Sequence, residues 1–141
     1  MAIYSHAHRT AVFTATTTAN CQVRNPATVR PKILECTYIQ LTAVAAQIGL
    51  GRPQAVALTP TDVLFQADDP GDPASVCFGN VAWGTSPTVP LIYHRRANLT
   101  LASVGIIWTF PRGLTIPISS GVVIWNIATT VAADVSWVID E

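Results

Sequence analysis

Val131-Ala132-Ala133-Asp134-Val135-Ser136-Trp137-Val138-Ile139-Asp140 is the stretch whose periodicity decides the fold class. Val131, Ala133, Val135, Trp137 and Ile139 fall on one face of an extended chain, and Asp134, Ser136 and Asp140 on the other. Successive side chains of a strand point to opposite faces, so a period of two predicts an antiparallel strand with one dry and one wet face. A helix would scatter the same residues around its circumference.

Moving back along the chain, Gly121 to Ile127 is apolar on both faces and Val104 to Phe110 resembles it. Both predict central strands, or strands with one face against a partner subunit. Earlier segments with the same character are Ile33 to Leu41, Ala55 to Leu58, Val63 to Gln66, Ser75 to Trp83 and Leu91 to Arg95, with a further short strand within Thr10 to Val23. Val, Ile and Thr supply 44 of the 141 residues, a composition suited to a pleated surface. Turn signals such as Asp69-Pro70-Gly71-Asp72, Ser86-Pro87 and Pro111-Arg112-Gly113 separate the segments. The expected fold is all-β: a single-domain β-sandwich or jelly roll of about eight short antiparallel strands, or a small barrel.

No repeat and no segment of linker composition divides residues 1–141, so one domain is expected. Residues 1–30 differ in kind, because Thr14 to Asn20 is a run of small polar residues and Ala with weakly specified register. They form either an extended N-terminal arm that reaches a neighbour or an ordinary edge strand.

Half the residues are apolar and 11 % are charged, against a usual share of about 25 %. Eight acids balance eight bases. A surface so poorly defended by charge favours an oligomer, with a polar Ser/Thr/Asn surface as the alternative. Zero net charge and scattered bases exclude nucleic acid as the expected partner. A spanning helix needs roughly 18 apolar residues. The longest helix-compatible stretch, Leu41 to Leu50, is interrupted by Gln47. No membrane partner and no signal peptide are therefore expected, and the cysteines argue for synthesis in a cytosol. Cys21, Cys36 and Cys77 lack CxxC spacing and read as reduced, mostly buried thiols.

Candidate chemistry is sparse. His6 and His8 on a strand would share one face at a metal's spacing, but no third ligand is identifiable, so no metal and no cofactor are expected. Asp68, Asp69 and Asp72 gather hard oxygen ligands without EF-hand spacing and read as a turn. Gly49-Leu50-Gly51-Arg52 lacks the Gly-Lys-Ser/Thr ending of a phosphate loop and reads as a Gly-rich turn, with Arg52 pairing Glu35. Only His94 could serve as a base for a nucleophile, no Gly-x-Ser-x-Gly elbow occurs, and no catalytic residue is assigned. Trp83, Trp108, Trp125 and Trp137 sit in strongly apolar strands, which favours core or subunit contact over sugar stacking.

Gly49-Leu50-Gly51-Arg52-Pro53, Val81-Ala82-Trp83-Gly84-Thr85-Ser86-Pro87, Trp108-Thr109-Phe110-Pro111-Arg112-Gly113-Leu114, Val123-Ile124-Trp125-Asn126 and Val138-Ile139-Asp140-Glu141 together resemble a group of small β proteins among the virion structural proteins of tailed phages, the capsid decoration or cement proteins. The resemblance runs over most of the chain and consists of turn and strand signatures. It implies a jelly-roll-like homotrimer on the capsid exterior that braces neighbouring major capsid protein subunits, with no enzymatic activity. No binding residue carries over from it. Gly121 to Asp140 would lie near the trimer axis. Tyr4, His6, His8 and Arg9 are the expected contact with the capsid, and Trp125 and Trp137 the expected subunit interface. The rival expectations are a phage head-fibre or tail-associated binding module, a carbohydrate-binding β-sandwich using Trp83, and a cupin-like enzyme with metal on His6 and His8.

Overall fold

The structure is a computed structural model that describes residues 2–10, 18–100, 104–129 and 131–141. Eight principal strands carry it: β1 (Ile3–Arg9), β2 (Thr18–Asn25), β3 (Lys32–Gln40), β4 (Ala46–Gly51), β10 (Tyr93–Leu99), β11 (Gly105–Thr115), β12 (Ser120–Asn126) and β13 (Ala133–Asp140). Five strands of two or three residues lie between β4 and β10: β5 (Leu58–Pro60), β6 (Val63–Leu64), β7 (Gln66–Ala67), β8 (Phe78–Asn80) and β9 (Trp83–Thr85).

The principal strands form two antiparallel sheets. One has the order β11-β3-β13-β1, extended by β7, and the other β10-β4-β12-β2, extended by β8 and β6. Counted among the eight, these orders are sixth, third, eighth, first and fifth, fourth, seventh, second, the interleaving of a jelly roll. The expected all-β sandwich is therefore the observed one.

The last strand behaves as its alternation dictates. Ala133, Val135, Trp137 and Ile139 are buried and the residues between them are half-exposed. These side chains meet Cys36 and Tyr38 of β3 and Val23, Ile48, Leu50 and Ile124 of the facing sheet in one core. Cys21, Cys36 and Cys77 are free thiols with no exposed surface, and burial pushes all three well above the usual thiol range.

Four expectations need correction. Residues 3–9 are not an arm: β1 pairs along its whole length with β13, from Ile3 opposite Asp140 to Arg9 opposite Asp134. The accessible surface of 6985 Å² matches the roughly 7,000 Å² of a compact monomer of this mass. Of the Thr14 to Asn20 run, Thr18 to Asn20 open β2, and residues 14–17 lie outside the described residues. Gly49 and Gly51 belong to β4, not to a turn. A Cβ on Gly49 would come within 2.5 Å of the Tyr93 ring, so glycine here lets an aromatic ring lie flat on the sheet. Pro111-Arg112-Gly113 does not end a strand but interrupts the pairing of β11 with β3 between Thr109 and Leu114, with Gly113 at φ 69°. Finally, β11 is an edge strand, whereas the similar β12 is central.

The connection between β4 and β10 folds over the outer face of the second sheet. Val123, Trp125 and Ala19 point outward from β12 and β2 and are covered by Trp83, Val89 and Tyr93. Polar links hold this cover down. Gln22 donates to Asn80, Asn80 donates to the Thr61 carbonyl and to Asp62, and Asp62 pairs with Arg24. Phe65 is buried between β6 and β7, so one short segment closes the same side of both sheets.

Candidate functional site

The residues singled out from sequence do not come together on one surface. Trp125 and Trp137 have no exposed surface within the chain itself, so neither can meet a subunit. Gly121 to Asn126 likewise has its second face covered by its own chain, which removes it from any trimer axis. Tyr4 is buried and its hydroxyl donates to the Pro73 carbonyl at 3.0 Å.

His6 and His8 share one face of β1, as the spacing requires, but that face is the inner one. Their ring centroids are 4.9 Å apart, and His6 lies 5.1 Å from the Phe65 ring. The imidazole of His6 occupies the space a side chain at residue 79 would need, since a Cβ on Gly79 would fall 2.2 Å from it. Both nitrogens of His8 are buried without a hydrogen-bond partner. Burial, and then the neighbouring His6, lower its pKa to about 4. Among the described residues no third His, Cys, Asp or Glu completes a metal site. Arg9 alone of the group is exposed, and it is committed to a two-pronged pair with Asp134 at 2.7 and 3.0 Å, which raises the one pKa and lowers the other.

Arg52 donates to the Thr115 carbonyl at 2.8 Å and joins β4 to β11, in place of the expected pair with Glu35. The Asp69 carboxylate accepts from the Gly71 amide at 2.9 Å and the Asp72 amide bonds the Asp69 carbonyl, so this run is the turn its composition predicts. A contact without a sequence signal involves Glu141. Its carboxylate accepts from the Ser75 hydroxyl and from the amides of Val76 and Cys77, tying the cover to the end of β13. Only the fold brings residues 65 positions apart together.

The surface feature that stands out is the sorting of charge. β1, β3, β10 and β12 end, and β2, β4, β11 and β13 begin, at one end of the sandwich. Residues 10–17, 41–45, 100–104 and 127–132, which link them in sequence, contain no Asp, Glu, Lys or Arg. Among the described residues near that end the charges are Arg9 and Asp134, which neutralise one another. The opposite end and its flanks hold the rest. Comparison with protein-family models, with curated proteins and with solved structures finds no match. The candidate site is therefore argued from this chain's surface alone.

The depressions of that surface are open ones: about 460 Å³ lined by Ser5, His6, Val63, Leu64, Gln66 and Asp68 among others, about 360 Å³ beside Arg95, Phe110 and Arg112, and about 350 Å³ beside His8, Thr37, Ile39 and Asp134. A smaller one of about 170 Å³ lies beside Arg24, lined by Gln22, Pro26, Val56 and Ser119 among others. The first three reach the roughly 300 Å³ at which ordinary ligand sites begin, without, among the described residues, a cluster of catalytic or metal-binding groups in their linings. Exposed apolar side chains are conspicuous instead: Leu91 and Ile92 are 86 % and 82 % exposed just ahead of β10, and Ile107 is 61 % exposed on β11. Of the four Trp only Trp83 lies outside the buried set, half-buried at the rim of the cover.

Proposed function

We propose that this chain is a virion structural protein that decorates the exterior of a tailed-phage capsid, assembling with copies of itself as a homotrimer and bridging major capsid protein subunits. The observation that supports this reading is the segregation of charge: among the described residues, the end of the jelly roll where β1, β3, β10 and β12 stop carries one neutralised pair, while the other end and its flanks carry the unpaired charge. A protein freely rotating in water gains nothing from such sorting. A protein seated on a large partner buries the uncharged end and leaves the charged end in solvent. The uncharged end then takes the role of capsid contact that Tyr4, His6 and His8, buried or turned inward, cannot fill. The action is mechanical, since many copies that bind only the assembled shell stabilise it by mass action.

The test is co-sedimentation of the purified chain with expanded phage heads that lack decoration. Saturable binding at a fixed number of copies per capsomer, with a rise in the temperature at which heads rupture, is the expected result. Charging the uncharged end, as in Thr42→Glu with Thr129→Glu, should abolish binding while leaving the isolated chain folded. Binding to a glycan that is lost in Trp83→Ala, with no binding to heads, would replace this reading by that of a carbohydrate-binding module.

A further inference from the structure

The net charge of zero hides a polarity across the sandwich. With the Arg9–Asp134 and Arg24–Asp62 pairs set aside, six bases and six acids remain. Arg95 and Arg96 lie on β10 and Arg112 on β11, the two edge strands at one side. Arg52 follows β4 beside β10, and Arg30 and Lys32 lie where β3 meets the end of β11. Among the acids, Asp68, Asp69 and Asp72 form the turn after β7, the edge strand of the opposite side. Asp140 ends β13 between Ile3 of β1 and Lys32 of β3, so Asp140 and Lys32 offset one another in the middle of the sheet, and Glu141, which follows, is engaged by Ser75 and the amides of Val76 and Cys77. Glu35, on β3, is the one acid on the basic half.

From β7 to β11 is four strand spacings, about 20 Å. The Debye length at physiological salt is about 8 Å, so the arginines of β10 and β11 and the Asp68, Asp69 and Asp72 turn beyond β7 do not neutralise each other within one chain. Each side also carries exposed apolar surface. Leu91 and Ile92 stand beside the arginines, and Val63 and Leu64, about half exposed, form the edge strand β6 beside the acids.

We propose that copies of this chain dock head to tail, the basic β10–β11 side of one against the acidic β6–β7 side of the next, with Leu91 and Ile92 packing near Val63 and Leu64. A two-fold contact of the basic side with itself would crowd like charges, whereas the unlike sides attract over the range of the screened field. A contact between two different patches leaves one of each free on the pair, so it propagates and closes as a ring when the rotation per copy permits. This names the self-contact of the assembly proposed above and rests on that reading.

The experiment is sedimentation velocity of the full chain across dilution, at low and high salt, on four proteins: the native chain, Arg95→Glu with Arg96→Glu, Asp68→Lys with Asp72→Lys, and the chain carrying all four changes. Asp69 is left in place because it accepts the hydrogen bond of the turn, whereas Asp68 accepts from the Ser5 hydroxyl at 2.7 Å in an exposed contact. The native chain should associate, less strongly at high salt. Each one-sided reversal should raise the dissociation midpoint by about tenfold or more, and the four-fold reversal should restore it. Circular dichroism confirms that each variant is folded. Three results overturn the contact: a native chain that stays monomeric, one-sided reversals without effect, or an arginine reversal that tightens association, which identifies a two-fold contact. Head binding by a chain that stays monomeric would overturn the contact while leaving the decoration reading standing. Absence of both would remove the two together.

Discussion

The outer faces of the two sheets had similar sequence to work with and came to opposite ends. On β12 the outward side chains Val123 and Trp125 are sealed by Trp83 and Val89 from the connection between β4 and β10 and by Tyr93 at the start of β10. On the other sheet the outward side chains of β3 and β11, Ile39 and Ile107 among them, face solvent at 39 % and 61 % exposure. The two strands look alike because both are apolar on both faces. Covered and uncovered faces are distinguished by where a 41-residue connection happens to fold, which is a property of topology and not of either strand.

The comparison is broken most severely by truncating the covered face. Trp125→Ala removes a side chain with no exposed surface from a face sealed by the cover and should cost about 3 to 5 kcal/mol in urea unfolding. Ile107→Ala, removing an equally apolar group from the open face, should move stability by no more than about 0.5 kcal/mol. Equal losses would mean that the connection does not protect its sheet.

The inner face of the first sheet adds a pH dependence that the second lacks. His8 is held neutral with a pKa near 4, while in the unfolded chain it titrates near 6.5. Between these values the unfolded state binds the proton first, so stability is complete above about pH 6.5 and falls as pH drops toward 4. The total loss is about 3 kcal/mol from this group, and urea midpoints at pH 7.5, 5.5 and 4.5 should follow it. His8→Leu should flatten that dependence without lowering stability at neutral pH.

A smaller effect probes how the cover seats. Gly49→Ala pushes a methyl group into the Tyr93 ring and should cost about 1 to 3 kcal/mol, read as a lower unfolding midpoint. Replacing Tyr93 by Leu in the same chain should recover part of it. The smallest effect belongs to the open face again. Asp134→Asn removes an exposed partner of Arg9 and should leave the unfolding midpoint within experimental error at physiological salt.

Part of the fold was legible because it is local. Alternation along residues 131–140 requires one buried face whatever the neighbours are, and Asp69-Pro70-Gly71-Asp72 turns for conformational reasons of its own. The apolar residues on both faces of Gly121 to Ile127 correctly indicate a strand covered on both sides. For Val104 to Phe110 the same logic offered a central strand or one facing a partner subunit, and the structure removes the first, because β11 is an edge strand whose second face is exposed in the single chain. Gly49-Leu50-Gly51-Arg52 was misread because two glycines in four residues look like a turn, whereas Gly49 and Gly51 lie in β4. Their purpose becomes visible only when Tyr93 and Pro90 are found lying against them. The candidate interface residues were the least legible, since burial of Tyr4, Trp125 and Trp137 depends on strands far away in the chain.

The sequence by itself determined an all-β chain with two-residue periodicity, buried thiols, few charges and no excess of either sign, because propensity, alternation and composition are summed along the chain and need no partner. The tertiary structure decided which strands are central and which are edges. It also decided which apolar face is sealed by the chain and where the balanced charges come to rest. Those depend on pairing between distant segments: zero net charge is a sum over residues, whereas a basic side and an acidic side exist only once the β10–β11 and β6–β7 edges stand opposite one another.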